Sequence, residues 1–372
     1  MTDSKSLKKI LIVIDSAELG GAERQAIYLY NILKNENYLV NFLILSQKKG
    51  IVDNLISNND VFRLSINKKI FNQFNFKIFQ FYELIKNSIK FIRIVRKLKC
   101  NLIIPFTYYP NIICNILFKF TSVKSCVWNQ RDEGRNFNKN ILEKLSLKNA
   151  SILISNSTEG KLFLEKIIKK SVKIIFNGIQ NPKFVKNYIN IDNQIFKMVM
   201  VANLHQYKDH ITLLKTLKIL IIKYPNIFFI LTLVGRISSY SAIIFNFVKD
   251  NNLEDNVVFK GFISDTGVEL IKHDLCVFSS VKEGLPNGIL ECMALGLPVV
   301  ATKINGSIDA LGKDYEYFAK PFDEIDFAKK IEVFINCITL RKSVGNKNKV
   351  RVNEFFSLDT FKKNYIEIIN SL

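Results

Sequence analysis

The stretch Ile10–Asp15 reads ILIVID, an unbroken apolar run closed by an aspartate. A strand that is apolar at every residue needs cover on both faces, the condition met in a parallel sheet clad in helices. The turn SAELGG follows at once, then apolar residues at helical spacing (Ala26, Leu29, Leu33) and a second strand, Leu39–Leu45. This is a β-loop-α-β opening. Further strands are expected at Leu102–Pro105, Ser125–Trp128, Ile152–Ser155 and Val172–Phe176. The polar stretch Gln180–Gln194 lacks a clear period and reads as a linker. Then the pattern restarts: strand Lys197–Ala202, a helix from Lys208, and strands Ile227–Val234, Val257–Phe259, Leu275–Ser279 and Val299–Ala301. The expectation is therefore two doubly wound α/β domains. Their bounds are 1–179 and 196–353, joined by a linker at 180–195, with a last helix at 354–372 packing back toward the first domain. A chain of 372 residues suits two domains better than one.

Composition matters at three points. The six cysteines are widely spaced and form no CxxC pair, so they read as reduced, mostly buried thiols of a cytosolic protein. ILIVID is too short for a signal peptide or a membrane span, and the longer apolar stretches are broken by polar residues or proline, so no spanning segment is expected. Of the formal net charge of +20, residues 1–180 carry 29 Lys+Arg against 13 Asp+Glu, leaving 24 against 20 for the rest. A basic first half points to an anionic partner, although a Lys-, Asn- and Ile-rich coding bias accounts for part of the excess.

Two turns stand out. Ser16–Glu23 (SAELGGAE) ends a strand and opens a helix, with Gly20 and Gly21 allowing close approach to the backbone. It lacks the GxGxxG spacing of dinucleotide-binding turns. The second turn, EGLPNGILE, places Glu283 before Gly284, Leu285, Pro286, Asn287 and Gly288, and Glu291 about one turn into the helix that follows. An ionised carboxylate accepts two hydrogen bonds side by side, which suits the vicinal hydroxyls of a sugar or a ribose. The pair also fits a capping glutamate beside a surface one. Ligands of open α/β sheets bind beyond the carboxyl ends of the strands, so both turns are expected at one cleft. In VANLHQYKDH, Lys208 is placed to meet a diphosphate as a flexible point charge, with His205 as a second donor. Each equally fits an ordinary solvated side chain. No HExxH, GxSxG or other metal or hydrolase signature is present, and no metal site is expected.

The strings GGAER, NGI at 177–179, VANLHQYKDH, LVGR at 233–236, VVFKGFISD and SSVKEGLPNGILECMALGLPVVAT, taken in order, resemble the retaining glycosyltransferases of family 4. The resemblance is strongest over 197–310 and weak over 50–150. It implies the GT-B fold, two Rossmann-like domains facing a central cleft. It implies transfer of a hexose or N-acetylhexosamine from a nucleotide sugar, UDP-sugar favoured over GDP-sugar, to a lipid-linked oligosaccharide acceptor, without a cofactor or metal. In that family pattern Glu283 holds donor-sugar hydroxyls, with amides of Leu285–Gly288 helping. Glu291 holds the ribose, and Lys208 neutralises the leaving diphosphate. Phe262 and Ile263 border the base, and Gly20 and Gly21 face the donor from the first domain. Lys208 and Glu283 are thus the catalytic candidates.

Two departures from the pattern remain. Asn203 stands where relatives commonly carry an arginine, which leaves His205 as a substitute cation. The first domain has no histidine, and WNQRDEGRN offers Arg131 and Asp132 as acceptor-side candidates in its place. The stretch 68–99 interleaves aromatics with Lys and Arg and holds one acid, Glu83. It reads either as an ordinary packed helix, with Val95 and Leu98 in the core, or as a face for an anionic membrane surface. Since family acceptors are often lipid-linked, the second reading implies peripheral association with the inner face of the plasma membrane. The rival readings are a nucleotide-sugar epimerase of similar architecture, a nicotinamide-dependent oxidoreductase, which the missing GxGxxG disfavours, and a basic nucleic-acid-binding protein, for which no recognition module is legible.

Overall fold

The computed structural model describes residues 8–65, 78–135, 137–180, 182 and 194–372, with the side chains of 78–81 also left aside. The chain divides into two compact units, residues 1–178 with 361–372, and residues 179–360. Most of the stretch expected as a linker, residues 181 and 183–193, lies outside the described residues.

The first unit is built on β1 (Lys9–Ile14), α1 (Gly21–Asn35), β2 (Leu39–Ile44), β3 (Val61–Arg63), α2 (Ile78–Leu98), β4 (Leu102–Pro105), α3 (Tyr108–Leu117), β5 (Ser125–Gln130), α4 (Ile141–Asn149), β6 (Ile152–Ser155), α5 (Thr158–Ile167) and β7 (Val172–Ile174). Its strands form one sheet in the order β3-β2-β1-β4-β5-β6-β7, every pair parallel. Ile10, Ile12 and Ile14 of β1 join one core on one face of the sheet, while Leu11 and Val13 join another on the opposite face. The unbroken apolar run is therefore consumed on both sides. Ala26, Leu29 and Leu33 of α1 lie in the first core; Phe91 and Val95 of α2 lie in the second, with Leu98 packed against it.

The second unit contains β8 (Ile195–Val201), α6 (His210–Lys223), β9 (Phe228–Val234), α7 (Ser241–Asp250), β10 (Val257–Gly261), α8 (Gly267–Leu270), β11 (Leu275–Phe278), α9 (Asn287–Ala294), β12 (Val299–Thr302), α10 (Asn305–Leu311), β13 (Phe318–Ala319), α11 (Glu324–Ile335) and α12 (Ile338–Phe355). Its sheet runs β10-β9-β8-β11-β12-β13, again parallel. A final helix, α13 (Leu358–Ser371), starts four residues later than the segment 354–372 suggested; Phe361, Tyr365, Ile368 and Ile369 enter the core of the first unit.

Several boundaries differ from expectation. β5 continues to Gln130 because its polar end is satisfied internally: Asn129 and Asn111 exchange side-chain and main-chain hydrogen bonds at 2.8 Å, and Trp128 Nε1 donates to Gln130 Oε1. β7 stops at Ile174, two residues before Phe176. β8 begins at Ile195 and ends at Val201. α6 begins at His210 rather than Lys208, because Asp209 adopts the left-handed conformation and caps it, accepting from the Thr212 amide. The short edge strands β3 and β13 carry too few residues to show a period.

Helix α12 packs directly on the end of α9, and Asn348 Nδ2 donates to Leu297 O at 3.0 Å. A Cβ on Gly345 would stand 1.9 Å from the Gly296 carbonyl oxygen. Gly345→Ala is therefore expected to destabilise the fold by about 1–3 kcal/mol. A lowered urea midpoint at unchanged slope is the measurement that checks it.

Candidate functional site

In the second unit the strand order reverses between β8 and β11: the chain runs outward through β9 and β10, then returns to the other side of β8. Loops leaving the carboxyl ends of two such strands diverge and open a crevice. Lys208 lies in the loop after β8, Glu283 in the loop after β11. The fold brings them together, and Lys208 Nζ donates to Glu283 Oε1 in an ion pair whose side chains keep only 14% and 10% of their surface exposed. Backbone contacts hold the two loops in place. Val281 N donates to Tyr207 O, and Ser279 Oγ to Lys208 O at 3.1 Å. Lys208 also sits over the Tyr207 ring, on which His205 stacks at 5.5 Å.

The turn of residues 284–288 is packed rather than open. Gly284, Leu285, Pro286 and Gly288 are buried, and Asn287 is half-buried at the start of α9. A Cβ on Gly288 would meet Val201 O at 2.5 Å, so this glycine serves the approach of α9 to β8. Gly306 plays a similar part for α10, since a Cβ there would meet Gly284 O at 2.2 Å. Glu291 is half-buried one turn into α9, and Thr266 Oγ1 donates to its Oε2 at 2.8 Å. Thr266 precedes α8 and was not singled out by sequence, because its partner is 25 positions away.

Asn203 does the work of a brace. Its Oδ1 accepts from Arg236 N at 3.0 Å and ties the loop after β8 to the loop after β9. Arg236, the last residue of LVGR, places its guanidinium 4.5 Å from the centroid of the exposed Phe262 ring. Ile263 is half-buried beside it.

In the first unit Gly20 and Gly21 open α1, with Glu23 in its first turn. Arg131 and Asp132 follow β5 but do different things. Arg131 stacks over the Phe106 ring at 5.3 Å and donates through Nη2 to Asn177 Oδ1. Burial lowers its guanidinium pKa. Asp132 turns back on its own loop, accepting from Gln130 Nε2 at 2.6 Å and from Gly134 N at 2.9 Å. Burial raises its carboxyl pKa. Both bonds go to Asp132 Oδ1 and tie it to its own loop.

These two parallel α/β units, of seven and six strands, define the GT-B fold. A crystal structure of Anabaena Alr3699/HepE in complex with UDP and glucose shares that fold, with a TM-score of 0.81 over 98% of this chain and 100% of that one, at 19% identity. Residues 195–336, most of the second unit, match the family model of Glycosyl transferases group 1. The capsular polysaccharide biosynthesis glycosyltransferase CapM of Staphylococcus aureus is 27% identical over 235 residues, 58% of this chain and 60% of CapM. The UDP-Gal:alpha-D-GlcNAc-diphosphoundecaprenol alpha-1,3-galactosyltransferase of Escherichia coli is 24% identical over 219 residues, 53% of this chain and 54% of that enzyme. The matched stretches span less than two thirds of either relative's length.

His210, two residues beyond Lys208, is buried, and neither ring nitrogen has a hydrogen-bond partner among the described residues. Burial, then the charges of Lys208 and His205, push its pKa down from 6.5 to about 3. Because the folded pKa lies below the unfolded one, the unfolded chain binds the proton more readily between these values, and stability falls as pH drops from about 6.5 toward 3. At pH 5 this one group is expected to cost about 2 kcal/mol relative to pH 8. Urea midpoints at the two pH values should therefore converge in His210→Leu compared with the wild type.

Proposed function

We propose that this protein is a retaining glycosyltransferase of family 4 that moves a hexosyl or N-acetylhexosaminyl group from a UDP-sugar to a lipid-linked saccharide during assembly of a bacterial surface polysaccharide. The observation that carries the reading is the Lys208–Glu283 pair at the strand-order reversal of the second sheet, with Glu291 one turn into α9. Lys208 and Glu283 neutralise one another without ligand. A sugar diphosphate carries both missing complements, an anion for the ammonium and hydroxyls for the carboxylate. Glu291 takes the ribose, and the Arg236–Phe262 pair flanks the base. The named relatives support substrate and pathway, since CapM is a capsular polysaccharide enzyme and the E. coli enzyme uses a diphosphoundecaprenol-linked acceptor. The Anabaena structure holds UDP.

The reaction is a same-face substitution. The bond from the anomeric carbon to the diphosphate oxygen breaks, the bond to the acceptor oxygen forms on the same face, and the acceptor proton passes to the leaving diphosphate. Lys208 stabilises the charge that develops on that oxygen, and Glu283 holds the sugar in register. The ammonium supplies this stabilisation without a metal ion. Glu291→Ala is expected to weaken UDP-sugar binding about 10- to 100-fold, the scale of a hydrogen bond to a charged group. Glu283→Gln should lower kcat more than it raises KM. Product NMR should show the donor's anomeric configuration retained, at a rate that survives EDTA. An inverted product, or strict dependence on added divalent metal, would falsify the mechanism.

The acceptor's lipid gives α2 its role. Phe91, Val95 and Asn87 face the core, while Tyr82, Ile85 and Ile89 are exposed beside Lys86, Lys90, Arg93 and Lys97. Phe120 is also exposed, and its carbonyl accepts from Arg96. No described helix is long and apolar enough to cross a membrane. We propose that this mixed face docks reversibly on the cytoplasmic surface of the plasma membrane, each cation contributing on the order of 1 kcal/mol near anionic headgroups. In liposome flotation the protein should rise with anionic vesicles at low salt and be released at high salt. The variant with Lys86, Lys90, Arg93 and Lys97 changed to glutamine should stay behind. Equal flotation of both folded proteins would sink the docking proposal.

A further inference from the structure

Thr266 stands at the N-cap of α8, where a threonine hydroxyl ordinarily bonds an amide of the helix it opens. Here it makes no such bond. Asp265 takes the Gly267 amide instead, its Oδ1 accepting at 3.0 Å. The Thr266 hydroxyl goes to Glu291 Oε2 at 2.8 Å, 25 positions away. Thr266 is buried, and its main chain is locked. Its carbonyl accepts from Glu269 N at 3.1 Å and from Leu270 N at 2.9 Å, and Leu270 is fully buried. His273 anchors the far end of α8. Its Nδ1 meets Glu269 O at 3.0 Å, and its Nε2 meets Thr232 Oγ1 of β9 at 2.8 Å, with both residues buried. A carbonyl oxygen only accepts, so Nδ1 is the donor, and in the neutral ring Nε2 accepts from the threonine. A line of bonds thus runs from β9 through His273, Glu269 and Thr266 to the Glu291 carboxylate.

We infer that Thr266 is a positioning residue that sets specificity: it fixes the Glu291 carboxylate for the vicinal hydroxyls of a nucleotide's sugar, and so favours ribose over 2′-deoxyribose; the inference rests on the glycosyltransferase reading, in which Glu291 takes the ribose. Thr266 does not act on the ligand itself. A carboxylate has about four lone-pair sites, so the single bond from Thr266 does not exhaust it. A glutamate side chain turns about several bonds, and one without an anchor spreads over several rotamers that a ligand must then select among. Glu291 is half-buried at the start of α9, with room to move toward solvent. Held by a donor that is itself locked to β9, its carboxylate presents acceptors at one spacing. Two neighbouring hydroxyls use that spacing in full, and a lone hydroxyl uses half of it. Removing the Thr266 hydroxyl loosens the carboxylate but leaves its charge in place, so the loss falls on the paired contact.

Calorimetric titration of the full chain with UDP and with 2′-deoxy-UDP tests this without turnover. Thr266→Val keeps the side-chain shape and removes the hydroxyl. It is expected to weaken UDP on the order of tenfold, the scale of one hydrogen bond to a charged group, and to weaken 2′-deoxy-UDP much less, so that the preference for ribose shrinks. Thr266→Ser keeps the hydroxyl and should restore that preference. In a Glu291→Ala background Thr266→Val should cost UDP no further affinity, because the residue acts only through the carboxylate. Equal losses for the two nucleotides would make Thr266 a structural clip of α8 on α9 and overturn the inference. A folded Thr266→Val protein that binds both as the wild type does would overturn it too. So would a wild type indifferent to the 2′-hydroxyl, a result that needs no variant to fold. Each of these outcomes leaves transfer from a UDP-sugar standing. A wild type that binds no UDP or UDP-sugar would overturn the functional reading, and this inference with it.

Discussion

The ion pair between Lys208 and Glu283 is the contact on which the second unit's site depends. An ammonium and a carboxylate withdrawn this far from water each carry a desolvation penalty that only a partner offsets. The partners belong to loops 75 positions apart. What brings them together is sheet order, because β8 and β11 are neighbours only through the reversal of the chain's direction of travel. A diphosphate sugar would replace one internal compensation with two external ones. The pair therefore keeps an ammonium and a carboxylate together inside a folded domain, each offsetting the other's burial.

Each unit braces some of its buried polar groups and leaves others without a partner among the described residues. In the second, the groups at the strand ends are braced by one another: Asn203 holds the Arg236 backbone, Thr266 holds Glu291, and Ser279 holds the Lys208 carbonyl. Among the described residues, polar atoms of Thr107, Arg131 and Asn156 in the first unit, and of Asp209, His210 and Ser280 in the second, lack such partners, and Thr107 has a positive φ. A braced site is preorganised for one ligand geometry.

Much of the architecture was legible because its causes are local. ILIVID must be covered on both faces, and the same unbroken apolar pattern recurs at β4, β6, β11 and β12. Glycine-rich turns at strand ends marked where helices start close against the sheet, as Gly288 does against β8. Less was legible where polar residues were satisfied at a distance. Asn129 and Gln130 extend β5 because Asn111 and Trp128 bond to them, and no period in WNQ reveals that. Asp132 was legible as a carboxylate after β5, but not that its Oδ1 binds Gln130 and the Gly134 amide. Asn203 looked like the loss of a phosphate cation, yet the structure makes it the anchor of a loop that carries Arg236.

Sequence alone determined the class of fold and the chemical repertoire. The period and length of apolar runs specify strands and helices, and the residue types at the turns specify which charges and hydroxyl-binding groups are available. Tertiary structure decided which of those groups meet. Lys208 finds Glu283, Glu291 finds Thr266, and Arg131 finds Asn177 through strand order and loop packing. The physical reason is that a buried polar atom's energy is set by the partner it reaches in space, and a one-dimensional pattern fixes a residue's neighbours along the chain but not across the sheet.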